Sequence, residues 1–162
     1  MNANKEIPRK YPEGLFTAIS AGFVILLVGA IFVITPNLFD NIVDFFKDIT
    51  LVDVPNTDIM FIGPEFPRSH LTVYQAAGQF SIALAVFQFV MLALRFVFPS
   101  SWNKRSETVG NLVYWTGEAF LIQLLLVEST QWFTFWSTLI IVVGVSLIAR
   151  AVVIAVSRIK IS

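Results

Sequence analysis

The chain has 162 residues, 56% hydrophobic and 14% charged, against about 45–50% and about 25% in a typical soluble domain. The excess lies in long blocks, which excludes a disordered chain, an ordinary soluble globule and a basic nucleic-acid binder. Eleven Lys and Arg balance eleven Asp and Glu, there is no cysteine, and His70 is the single histidine, so thiol chemistry, Cys-ligated clusters, bis-histidine haem and multi-histidine metal sites are excluded.

In chain order, a polar tail (1–14) precedes a first apolar span at 15–35, which contains no charge. About 20 apolar residues suffice to cross a bilayer. Lys5, Arg9 and Lys10 before it resemble the start of a signal peptide. The apolar core is too long for one, and Thr35-Pro36-Asn37 is no cleavage site, so this span is read as an uncleaved helix.

Residues 36–70 form a long loop, of the length that usually carries structure or function. Within it, 38–49 has helical periodicity: Leu38, Ile42, Phe45, Phe46 and Ile49 share one face, and Asp40, Asn41, Asp44, Lys47 and Asp48 the other. This predicts an interfacial amphipathic helix, acidic on its polar side. Two short apolar runs, Leu51–Val54 and Ile59–Ile62, flank the turn formers Pro55-Asn56-Thr57-Asp58 and predict a short β-hairpin.

A second span covers 71–98 and stops at Pro99; a short loop (99–108) leads to a third span at 109–128. A turn at 129–133 joins it to a fourth span at 134–157, followed by a tail at 158–162. The fold class is therefore an all-α integral membrane protein: a single domain in which four transmembrane helices form a bundle carrying the structured loop.

Orientation follows from Lys and Arg. Nine of the eleven (Lys5, Arg9, Lys10, Arg95, Lys104, Arg105, Arg150, Arg158 and Lys160) fall on the side of the two termini, and Lys47 and Arg68 on the other. Both termini are expected in the cytoplasm, and the 36–70 loop, with six of the eleven acids, outside. Tyr11, Trp102, Tyr114 and Trp115 are assigned to the inner aromatic belt, and Tyr74, Trp132 and Trp136 to the outer.

Ionisable groups within a span mark structural or functional contacts. Glu118, counted from the expected end of its span, lies about nine residues in, Gln88 about nine and Arg150 about seven, so their depths agree within about 3 Å. An intramembrane cluster of Glu118, Arg150 and Gln88 is expected, with Glu118 either ion-paired to Arg150 or acting as a proton or cation carrier. A second polar level, Gln75, Gln79, Gln123 and Glu128, lies nearer the outside. His70 could approach Glu65, Asp53 or Asp58 in an outer metal site, but a solvated interfacial histidine is the plainer expectation. Small residues at packing intervals (Ala77, Ser81 and Ala85; Ser137, Gly144 and Ala151; Gly22 and Gly29) predict close helix approach.

No catalytic motif is present: no Gly-x-Ser-x-Gly, no phosphate-binding Gly-rich loop, no paired histidines with a glutamate. The expected function is a non-catalytic accessory or scaffolding subunit of a plasma or inner membrane. Its partners are the lipid bilayer and other membrane subunits or copies of itself, with no nucleic acid and no cofactor. The alternative is a homo-oligomeric channel or a proton- or cation-coupled transporter that uses Glu118.

Overall fold

The structure, a computed structural model, describes residues 10–159, with side chains from residue 13 onward. Lys5, Arg9 and Lys160 of the charge cluster expected on the side of the termini lie outside the described residues, as do the side chains of Lys10 and Tyr11. The elements run α1 (Lys10–Ile34), α2 (Leu38–Lys47), β1 (Ile49–Asp53), β2 (Met60–Pro64), a 3-10 turn (Pro67–His70), α3 (Leu71–Val97), α4 (Trp102–Leu121), a π-helical segment (Ile122–Glu128) and α5 (Trp132–Ile159). Four helical stretches, Glu13–Ile34, Pro67–Val97, Trp102–Glu128 and Trp132–Ile159, are long and apolar enough to cross a membrane.

Helix α4 packs against both α3 and α5, and α1 leans on α3. Three glycines around α4 sit at close helix contacts: a Cβ on Gly78 would meet Ile122, one on Gly110 would meet Ser146 and Arg150, and one on Gly117 would meet Val142 at 2.7 Å. Gly22, Gly29 and Gly144, which the spacing singled out, meet nothing within 4 Å. Ala77 is exposed, and Ser81 is buried with its hydroxyl donating to the Ala77 carbonyl.

The third span starts seven residues earlier than its hydropathy predicts, at Trp102 rather than 109. The reason is position. A helix with protein on both sides needs small and polar residues at its contacts, where a lipid-facing helix needs apolar ones. Ser101 caps the helix, accepting from the Lys104 N–H. Ser106 and Thr108 are buried, and their hydroxyls donate to the carbonyls of Asn103 and Lys104 at 2.7 and 2.9 Å. Polar side chains thus satisfy themselves on their own helix.

The loop folds as a cap at one end of the bundle. Its helix is shorter than expected, 38–47, because Asp48 serves as the C-cap. Leu38 is buried, and Ile42 and Phe45 pack against the core. Phe46, placed on the apolar face by periodicity, is 67% exposed. The hairpin forms in the antiparallel register Leu51 to Ile62 and Val52 to Phe61, each strand one residue longer than predicted and with its ends shifted one or two residues away from the turn. Opposed residues share a face, so the face carrying Val52, Phe61 and Gly63 turns toward α5. There a Gly63 Cβ would meet Trp132 at 2.9 Å, Phe61 lies edge-on to Phe133, and the Trp132 indole N–H donates to the Ile62 carbonyl at 3.2 Å.

Candidate functional site

Antiparallel packing fixes which positions along the helices lie level. Gly117 faces Val142 and Gly110 faces Arg150, so Arg150 sits eight residues of α4 away from Glu118, about 12 Å along the axis. The expected Glu118–Arg150 pair does not form. The depth count failed because it started α4 at residue 109, seven residues late. Arg150 instead reaches Glu107 at 3.5 Å, and Lys104 holds the same carboxylate at 2.7 Å, all three at least a third exposed. Gln88 does not join Glu118 either: Gly78 meets Ile122 and Phe80 meets Trp115, which places Glu118 opposite Ala77–Ser81, well above Gln88.

Glu118 opens instead onto a groove of about 360 Å³ under the cap. Its walls come from α1 (Val28, Ile31, Phe32), its floor from α3 (Ala76, Ala77, Phe80, Ser81), its far side from Trp115 and Glu118, and its roof from Leu38 and Ile42 of α2. Trp115, assigned to the inner belt by sequence, belongs here, edge-on to Phe80 at 6.1 Å between ring centres. Among the described residues, the Glu118 Oε2 atom is buried without a hydrogen-bond partner. Tyr114, one turn earlier on α4, brings its hydroxyl close to the same carboxyl. The π-helical segment begins four residues after Glu118; such widened turns recur at functional positions.

The second polar level is split. Gln75 and Gln79 line a recess of about 400 Å³ with Thr72 and the Thr35-Pro36 end of α1. Gln123 donates to Glu128 at 3.3 Å, both exposed.

His70 is 6% exposed and joins Asp48 at 2.7 Å, rather than Glu65, Asp53 or Asp58. The expected solvated histidine is therefore a buried one, packed edge-on to Phe45. Among the described residues, no group of three His, Asp or Glu is placed to hold a metal. Asp48 also accepts from the Phe66 N–H at 2.9 Å, and its own carbonyl accepts from Glu65. Partial desolvation raises its pKa, but the Phe66 and His70 contacts outweigh this and hold the carboxyl below its ordinary value. Asp48 is thus the staple that closes the cap onto α3.

Sequence reasoning missed the buried ion pair at the other end. Arg95, 9% exposed, donates to both Glu13 oxygens at 3.0 and 3.3 Å and to the Ser100 hydroxyl at 3.1 Å. Ser100 in turn donates to Glu13 at 2.7 Å. The Arg95 guanidinium lies over Phe16, while Arg105 lies over Phe96 and Trp102 and donates to the Arg95 carbonyl. Glu13 and Arg95 stood in the sequence as a tail acid and a positive-inside cation; that each sits at a helix end on the same side was the available signal.

The chain matches no protein-family model, and no curated protein and no solved structure is significantly similar to it.

Proposed function

We propose that this chain is a non-catalytic, multi-pass protein of a plasma or inner membrane, with both termini cytoplasmic, that serves as an accessory or scaffolding subunit. Four apolar helices and the nine-to-two bias of Lys and Arg support the insertion and its sense. One observation carries the docking role. The hairpin face turned away from α5 presents Leu51, Met60 and Ile62, each about 60% exposed, with Ile59 and Phe66 beside them. A contiguous apolar patch on a folded loop outside the hydrocarbon marks an interaction surface. The face is held rigidly, because the opposite one is fixed on Trp132 and Phe133.

A second reading, a homo-oligomeric channel or a proton- or cation-coupled carrier, is favoured by the buried, unpartnered Glu118 oxygen. Native mass spectrometry of protein extracted from its own membrane separates the two. Docking predicts bound chains, different subunits or copies, that are lost in the double variant Leu51→Ser with Ile62→Ser while the four-helix core stays folded. Assemblies of this chain alone that survive those substitutions, with a flux abolished by Glu118→Gln, would replace docking with the carrier.

A further inference from the structure

We propose that the groove beneath the cap binds a lipophilic ammonium: a single alkyl chain carrying a primary amine head. This goes beyond the docking role and does not depend on it. Two features of the groove select the occupant. The first is charge. Glu118 is the one ionisable residue of its lining, its Oε2 atom is buried without a partner among the described residues, and Arg150 is engaged elsewhere with Glu107. An isolated carboxylate in apolar surroundings is costly, and a cation arriving with a ligand removes that cost. The second is the lining. Phe32, Phe80 and Trp115 are three aromatic side chains in the lining, and aromatic rings attract cations where water is excluded. Ser81, a second polar lining residue, spends its hydroxyl hydrogen on the Ala77 carbonyl, so its oxygen is left as an acceptor. The Glu118 carboxylate and the Ser81 hydroxyl oxygen both accept, which suits a head group that donates hydrogen bonds. Val28, Ile31 and Ile42 supply an apolar channel for the chain, and a volume of about 360 Å³ lies within the range of small-molecule sites.

The test is photoaffinity labelling of the full chain in lipid bilayers with dodecylamine bearing a terminal diazirine, and with dodecanol bearing the same group. Labelled residues are mapped by mass spectrometry. The expected result is saturable labelling by the amine on the facing stretches of α1 and α3, competed by plain dodecylamine and exceeding that of the alcohol. Glu118→Gln should weaken it by at least roughly tenfold, the loss of a charge-assisted contact. Ala77→Phe, which fills the groove and leaves the carboxyl in place, should also abolish it. Equal labelling by amine and alcohol overturns the proposal, as does amine labelling that either variant leaves intact, or none above the lipid background. The amine–alcohol contrast on the unaltered chain keeps the proposal refutable even where a variant fails to fold.

Discussion

Gly117→Ala tests the helix register most sharply, because the structure predicts its effect against an internal control. A methyl at residue 117 would stand 2.7 Å from Val142 Cγ1 and 3.2 Å from Cγ2. Val142 is β-branched in a helix and has essentially one side-chain rotamer, so it cannot swing aside. The α4–α5 contact must open by some tenths of an ångström, at about 1–3 kcal/mol for overpacking. Gly144→Ala, on α5, meets nothing within 4 Å. Both substitutions gain the same helix propensity, about 1 kcal/mol over glycine, so their difference isolates the steric cost. In reversible unfolding from mixed micelles, Gly117→Ala should be less stable than Gly144→Ala by about 1–3 kcal/mol. Adding Val142→Ala should recover most of that gap. Equal stability of the two alanine variants would refute the register, and with it the placement of Glu118 away from Arg150.

Three further outcomes follow from the same geometry. Glu13→Gln strands Arg95 and should cost roughly 2–3 kcal/mol, below the ~3–5 of a fully buried pair because Glu13 keeps about a quarter of its side chain exposed. Cross-linking between cysteines replacing Phe23 and Phe87, whose rings stack at 4.1 Å, would report the loosening of α1. Asp48 has a lowered folded pKa, so its contribution is present above the unfolded value of about 4 and is lost as pH falls below it. Amide exchange at Glu65 and Phe66 should therefore accelerate as pH drops through that window, after correction for intrinsic rates, and Asp48→Asn should remove the step. Glu118→Gln should leave stability within about 0.5 kcal/mol or raise it, since no cation is stranded; a loss of 3 kcal/mol or more would restore a buried ion pair there.

Much of the fold was legible from hydropathy and periodicity because most of it faces outward. Helices α1 and α5, which bury little surface, read as apolar blocks with boundaries within a few residues, except that α1 begins earlier, at Lys10. The hairpin was legible from its turn formers. What hydropathy could not see was the helix packed on both sides: α4 starts in a polar stretch because its partners are helices, and every depth counted from its apparent start was wrong by two turns. Periodicity likewise misplaced Phe46, since a helix of ten residues turns Phe45 and Phe46 to different surroundings. The candidate site suffered most. Glu118 was recognisable as an acid in an apolar run, but its neighbours are set by inter-helix register, which no local pattern encodes. The His70–Asp48 and Glu13–Arg95 pairs, separated by 22 and 82 residues, were invisible for the same reason.

The absence of cysteine makes single-cysteine accessibility the most direct test of the central claim, a four-span protein that holds its cap outside the membrane. Asp58→Cys places a thiol at the exposed hairpin turn, and Asn103→Cys places one in the exposed first turn of α4. In intact cells a membrane-impermeant maleimide should label residue 58 at once and residue 103 only after permeabilisation. Labelling of 103 in intact cells with protection of 58 would invert the protein. Labelling of both in intact cells, or release of the chain by carbonate washing, would contradict the four-span account altogether.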